Sequence, residues 1–305
     1  MSLSAPATGR PIARRLRAKL PVLLALTPAI VIGFVVYLGA MVWTVRLSFS
    51  TSKMLPVLDW AGFVQYDRLF ATERFILAAQ HIAVFGALFI TLCLVLGFLL
   101  AVAIDQNVRG EALFRTIFLY PFSMSFVVTG LVWQWFLNPQ LGLQQTVRGF
   151  GFSDFKFDWI VNQDFVIFTL VIAAVWQASG LVMAILLAGL RGVDAELWKA
   201  ARIDAIPTWR VYVSIILPML TPMLATAAAL LAVSVARLYD LVVAMTKGGP
   251  GLSSEVPAKF IMDNFFERSN VGLGSAAATM LLATVVVVLA PWFYAQQFRK
   301  RRGRA

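Results

Sequence analysis

The chain has 305 residues, 60% of them hydrophobic and 13% charged, with 26 Lys and Arg against 15 Asp and Glu, a net charge of +11 and a mean hydropathy of +0.81. Water-soluble domains carry about twice that fraction of charge, which excludes one and places the chain in a bilayer. The basic excess calls for no nucleic acid as a partner, because it gathers beside apolar runs where anionic lipid headgroups are the nearer ligand.

Crossing a hydrocarbon layer roughly 30 Å thick takes about 20 apolar residues, and such a segment must satisfy its own backbone hydrogen bonds. After a basic tail at 1–20, runs of that length lie at about 21–48, 78–104, 114–137, 163–189, 211–236 and 272–297, and a second basic tail closes the chain at 299–305. All six are too long for barrel strands, so an all-α membrane protein with six transmembrane helices in one domain, 21–298, is expected. The first run exceeds the apolar core of a signal peptide and no small-residue cleavage site follows it, which predicts a retained span. With the N-terminus taken as cytoplasmic, the inside segments 1–19, 105–115, 191–210 and 299–305 hold sixteen Lys and Arg against five acids. The rest of the chain balances at ten of each. The whole excess then lies on one side, and both termini are predicted to be cytoplasmic.

Pro28, Pro121, Pro218 and Pro222 interrupt these runs. Prolines persist in membranes where neighbouring helices or a water-lined route satisfy the freed carbonyls, or as simple kinks. The opposite-side loops, about 50–77, 138–162 and 237–271, carry turn formers such as Asn138, Pro139 and the run Gly248, Gly249, Pro250, Gly251, and are too short for folded lobes. Covalent chemistry is not expected. There is no G-x-x-x-x-G-K-[ST] phosphate loop, His81 is the single histidine and Cys93 the single cysteine, so the sequence predicts no catalytic residue, metal site, cofactor or internal disulfide. Uphill transport would draw its energy from a second polypeptide or an ion gradient.

Residues 194–218, DAELWKAARIDAIPTWRVYVSIILP, form a charged island between apolar runs. At 100° per residue Leu197, Trp198, Ala201 and Ala205 share a face, and Glu196, Lys199 and Arg202 fall away from it. Asp194 predicts an N-cap and Pro207 bars continuation, which bounds a short amphipathic helix at about 194–206. The spacing resembles the cytoplasmic signature of permease subunits of bacterial ABC sugar importers, the group that includes the maltose permease, E-A-A-x3-G-x9-I-x-L-P. Ala200, Ala201, Ile215, Leu217 and Pro218 fall at matching positions, and Asp204 stands where an Asp commonly precedes the glycine. Lys199 replaces the usual Glu and Ala205 the usual Gly. The stretch 115–142 resembles the family's third core span through Pro121, Trp133 and Gly142. The stretch 239–257 resembles its T-x-G-G-P region, most like that of permeases for glucose and α-glucosides such as trehalose.

The resemblance implies a type I ABC importer permease fold in a bacterial inner membrane, with 194–206 as a coupling helix seated in a groove of an ATP-hydrolysing subunit. It implies as partners a second permease chain, a dimer of ATP-binding subunits that holds ATP and magnesium, and an extracytoplasmic sugar-binding protein. On that basis Leu197, Trp198, Ala200 and Ala201 fill the socket, Lys199, Arg202 and Asp204 pair with rim charges, and Glu196 and Ala205 complete the docking surface. At Ala205 a left-handed turn would be costlier than at glycine.

A sugar offers hydroxyls and an apolar C–H face, so its route needs polar and aromatic residues at mid-depth. Trp176, Gln177 and Ser179 supply them in one run, and Ser234, Arg237, Leu238, Tyr239 and Asp240 in another, the two regions that the resemblance also assigns to sugar. Arg237 and Asp240 are spaced i and i+3, as for an intramembrane ion pair, and Arg237 leaves a phosphorylated solute open. Trp133 and Trp135 read as interfacial or packing aromatics. A different class, a secondary transporter or facilitator without an ATPase, predicts carboxylates buried within spans, and the six runs are almost free of them.

Overall fold

The computed structural model describes residues 12–106 and 108–302, with side chains over 25–106 and 108–290. The ends of the two expected basic tails, residues 1–11 and 303–305, lie outside the described residues. The helices are α1 (Ile12–Leu47), α2 (Val64–Ala71), α3 (Glu73–Asp105), α4 (Glu111–Leu119), α5 (Phe126–Phe136), α6 (Leu143–Gly149), α7 (Val166–Leu190), α8 (Ala195–Ile203), α9 (Thr208–Val211), α10 (Leu217–Met219), α11 (Thr221–Ala236), α12 (Asp240–Met245), α13 (Pro257–Met262) and α14 (Val271–Arg302), and no strand occurs among the described residues. Four helices, α1, α3, α7 and α14, are long and apolar enough to cross a membrane, and there are up to six spans if each of two bent pairs counts as one.

The bent pairs are the third and fifth runs of the sequence, and proline chemistry sets both breaks. Glu111–Ser123 and Phe126–Phe136 meet at 100°. Pro121, without a backbone N–H, opens a 3₁₀ turn over Tyr120–Ser123, and Ser125 then caps α5 by accepting from the Val128 amide at 3.3 Å. The carbonyl of Met124 would be stranded at this corner, and Gln177 Nε2 on α7 donates to it at 2.7 Å. Thr208–Met219 and Thr221–Ala236 meet at 69°. A π-helical turn, Tyr212–Ile216, precedes Pro218, and Pro222 sits in the first turn of α11. Pro222 cannot donate to the carbonyl of Pro218, and Thr221 Oγ1 takes that acceptor at 2.5 Å. Pro28 leaves α1 unbroken.

At the centre α3 packs on α7. Phe85, Phe89, Cys93 and Ala101 on one helix and Ala174, Ala178, Val182, Met183 and Leu186 on the other belong to one buried cluster. Between helices surrounded by lipid the drive is close packing rather than water exclusion, so small residues belong at the contact. A Cβ at Gly97 would overlap Val182, and one at Gly180 would overlap the carbonyl oxygen of Phe118 at the end of α4. The span of α1, Ala25–Leu47, is by contrast unburied within the chain. Its C-terminal end is held, where Ser48 Oγ meets Tyr66 Oη at 2.7 Å and Arg46 lies over the ring of Trp60.

The N-terminal end of α3 carries a buried charge network. Arg74 bridges Glu255 at 2.7 Å and also Asp263, Lys259 bridges Asp263 at 2.6 Å, and none of the four side chains is more than 14% exposed. His81 Nδ1 donates to the carbonyl of Glu255 at 3.0 Å, a structural rather than a chemical use of the single histidine. This network anchors the glycine-proline turn at 248–251, where Gly248 and Gly251 take left-handed conformations and Ser254 Oγ donates to the Gly249 carbonyl at 2.7 Å. Burial opposes ionisation of Asp263, but its bonds from Lys259 and Arg74 prevail and hold its carboxyl below the usual range.

Two outcomes follow from this packing. Gly180→Ala forces α7 off the α4 carbonyl and should lower the stability of the purified chain by about 1–3 kcal/mol, read as a fall in the thermal transition in detergent. Arg74→Leu leaves two buried carboxylates with one cation and should cost about 3–5 kcal/mol. Because the Asp263 carboxyl is depressed on folding, its stabilisation is complete above the unfolded value of about 4 and is lost as pH falls through the lower folded one. Thermal scans should therefore stay level from neutrality to about pH 5 and drop below about pH 4, with a smaller drop in Asp263→Asn.

Candidate coupling and translocation site

The helix expected at 194–206 is α8, and its flanking residues close both ends. Asp194 Oδ1 accepts from the Glu196 amide at 3.0 Å, as an N-cap must. At the other end Ala205 adopts φ 52°, the Ile206 amide reaches back to the Ala201 carbonyl at 3.0 Å and the Ala205 amide to the Arg202 carbonyl at 3.2 Å. That pair of bonds is a Schellman stop, the geometry that favours glycine at its left-handed residue. Ala205 therefore holds the glycine conformation without the glycine.

The two faces of α8 have different partners. Ala201 is buried, and Leu197 and Trp198 are half-buried against the chain's main core. The Trp198 ring packs edge-on to that of Tyr212 at 5.3 Å between centroids, and Tyr212 Oη accepts from Gln106 Nε2, at the end of α3, at 2.9 Å. Leu197, Trp198 and Ala201, expected to fill a partner's socket, thus face their own bundle, because the apolar stripe of a short helix finds its nearest dry surface there. Ala200 is exposed together with Glu196, Lys199, Arg202, Asp204 and Ala205. Beside them stands Ile203, 83% exposed, an apolar residue that helical spacing sets about 140° from Trp198 and so outside the expected docking set. Nearby, Arg191 at the end of α7 bridges Glu111 at the start of α4 at 2.6 Å.

The pathway residues divide. Gln177 is buried and spends its amide nitrogen on the α4–α5 corner, leaving Oε1 buried without a partner. Trp176 is partly open and meets Trp133 edge-on at 5.9 Å, so Trp133 belongs to this aromatic pair while Trp135, 71% exposed, faces away from the chain. Ser179 is half-buried on the same helix. In the second run Ser234 Oγ bonds back to the Leu230 carbonyl at 3.1 Å, Leu238 is buried, Tyr239 half-buried, and Arg237 and Asp240 exposed. No ion pair joins Arg237 to Asp240 among the described residues. The helix ends at Ala236 and restarts at Asp240, so the i, i+3 spacing there is not a helical one.

Residues 93–303 match the family described as the inner membrane component of binding-protein-dependent transport systems. The chain belongs to that family. A probable ABC transporter permease protein of Pyrococcus horikoshii is 34% identical over 90% of this chain and 94% of its own length. A xylose/arabinose import permease protein of Haloferax volcanii is 31% identical over 88% and 85%. The crystal structure of a bacterial ABC transporter involved in the import of the acidic polysaccharide alginate contains a chain of the same fold, with a TM-score of 0.79 and 18% identity over 95% of this chain and 98% of that one. The protein is thus a transmembrane permease subunit of an ABC importer.

In this permease Ala205 is the residue whose conformation and identity disagree. Left-handed backbone costs an L-residue about 1–2 kcal/mol, part of which glycine returns through the entropy of its unfolded chain. Ala205→Gly should raise stability by up to about 1 kcal/mol and Ala205→Val should lower it by more than that, as read by the thermal transition of the purified permease.

Proposed function

We propose that this permease forms half of the route by which an ATP-driven importer carries a carbohydrate across the inner membrane, with α8 as its coupling helix on the cytoplasmic side. One observation carries the reading: α8 is fixed to its bundle by Leu197, Trp198 and Ala201, yet offers outward a face of Glu196, Lys199, Ala200 and Ile203. A large aliphatic residue 83% exposed at the tip of a fixed helix suits a knob for a separate subunit's groove. Arg202, Asp204 and Ala205 lie at the rim of that face, where charges pair with the partner.

The full reading has six spans within 21–298, counting each bent pair once, and basic tails at 1–20 and 299–305 on anionic headgroups. The inside segments hold the chain's net charge, which supports cytoplasmic termini. A second permease chain, different in sequence, completes the route, a dimer of ATP-binding subunits holds ATP and magnesium, and an extracytoplasmic binding protein delivers the solute. Closure of the ATPase dimer moves α8 and shifts the bundle between two packings, so this chain gates rather than catalyses. Trp176, Gln177 and Ser179 on α7, and Ser234, Arg237, Leu238, Tyr239 and Asp240 around the α11–α12 break, line the solute's path. The open ring of Trp176 offers the stacking face. The resemblance at 239–257 makes an α-glucoside such as trehalose the first solute to assay.

The docking face is tested with Ile203→Asp. The residue contributes nothing to its own chain's core, so the permease should insert and melt as before, while recovery of a co-expressed ATPase subunit on an affinity column should fall roughly tenfold or more. Undiminished recovery would overturn the assignment of α8 as the docking knob.

A further inference from the structure

We propose that Tyr212 is the positioning residue that carries the movement of α8 to α3, through Trp198 on one side and Gln106 on the other. The proposal rests on the coupling reading of α8 above. α8 joins α7 and α9 through short turns in the chain, but α3 ends at Asp105, far upstream, and a movement of α8 reaches it through side chains. Tyr212 provides the route. Its ring is held edge-on by Trp198 at 5.3 Å, its hydroxyl accepts from Gln106 Nε2 at 2.9 Å, and it is 9% exposed. A tyrosine suits this place because one end of the side chain packs and the other accepts a directional bond.

The backbone at Tyr212 strengthens the argument. Tyr212 opens the π-helical turn Tyr212–Ile216, which ends four residues before the break at Leu220 between α10 and α11. A π turn holds one residue more than an α turn, and the surplus sets the direction in which residues on its far side point. Relaxing it to a regular α turn would swing Tyr212 by about 100° and release Trp198 and Gln106 together. The link is thus made or broken as a unit, as a two-state coupling element must be. α3 is also the helix that packs on α7 through Gly97 and Val182, so a shift at its end is passed to the centre of the bundle.

The test uses the assembled importer in proteoliposomes, with its partner permease, ATPase subunits and binding protein, and reads solute delivered per ATP hydrolysed. Tyr212→Phe keeps the ring on Trp198 and removes the bond to Gln106, and Gln106→Leu removes the same bond from an exposed helix end. Each should lower the ratio roughly three- to tenfold, the span that the loss of one net hydrogen bond allows, while the complex still assembles. The double variant should be no worse than either single one, since both delete one interaction. A wild-type ratio in both single variants, or losses that multiply in the double, would overturn the proposal. If Tyr212→Phe fails to fold, Gln106→Leu alone decides by the same ratio. Failure of the coupling reading shows itself separately, as an intact complex in Ile203→Asp.

Discussion

In hydrocarbon a freed backbone carbonyl has no water to turn to, and the shape of this permease depends on where it finds such groups a partner. Two helix breaks create the need, the first where the Val128 amide is taken by Ser125 and the second where Pro222 has no amide to give. At the α4–α5 corner it is met from another helix, by the Gln177 amide on Met124, and at the α10–α11 bend it is met from within the bend, by the Thr221 hydroxyl on Pro218 three residues before it. The two solutions differ in consequence. The first ties the corner to α7, so the 100° turn moves with the core; the second leaves the 69° bend closed on itself. The break best supported from outside is thus the one beside the aromatic pair Trp133 and Trp176.

Around these corners the bundle is rigid at one end and adjustable at the other. The N-terminal end of α3 is pinned by Arg74, Glu255, Lys259 and Asp263, none more than 14% exposed, so neither cation can leave without stranding a buried carboxylate. The C-terminal end of α3 has a single neutral bond from Gln106 to a tyrosine and an exposed ion pair between Arg191 and Glu111 close by. Strong ties sit where the glycine-proline loop folds back. Weak ones sit where α8 attaches.

Much of this was legible in the sequence because it rests on composition or on residues with one physical meaning. Apolar length located the four long helices α1, α3, α7 and α14, the bent pairs fall at Pro121 and at Pro218 with Pro222 though not at Pro28, and Asp194 bounded the front of α8 to within one residue while its back lies three residues short of the expected 206. What could not be read was direction. The helical wheel grouped Leu197, Trp198 and Ala201 correctly on one face, but periodicity does not say whether an apolar face meets its own bundle or another chain, and here it meets Tyr212 and the core. Ile203 was visible as an apolar residue on the polar side and is the more telling signal, since nothing in its own chain explains it. Arg237 and Asp240 failed as a pair for another reason: the spacing rule assumes a continuous helix, and Leu238 is buried in a break. Gln177, expected to face solute, also holds a distant carbonyl, a long-range contact that no local pattern encodes.

The closure of α8 at both ends has a mechanical meaning. A short helix whose terminal amides and carbonyls are open frays, and a push on it is spent in unwinding a turn. With Asp194 bonded at the front and the Ile206 amide locked to Ala201 at the back, nine residues behave as a stiff rod about 13 Å long hung between two short tethers. Such a rod tilts or translates as one piece. The strained alanine at its rear tether is then what keeps the lever's length fixed while its load changes.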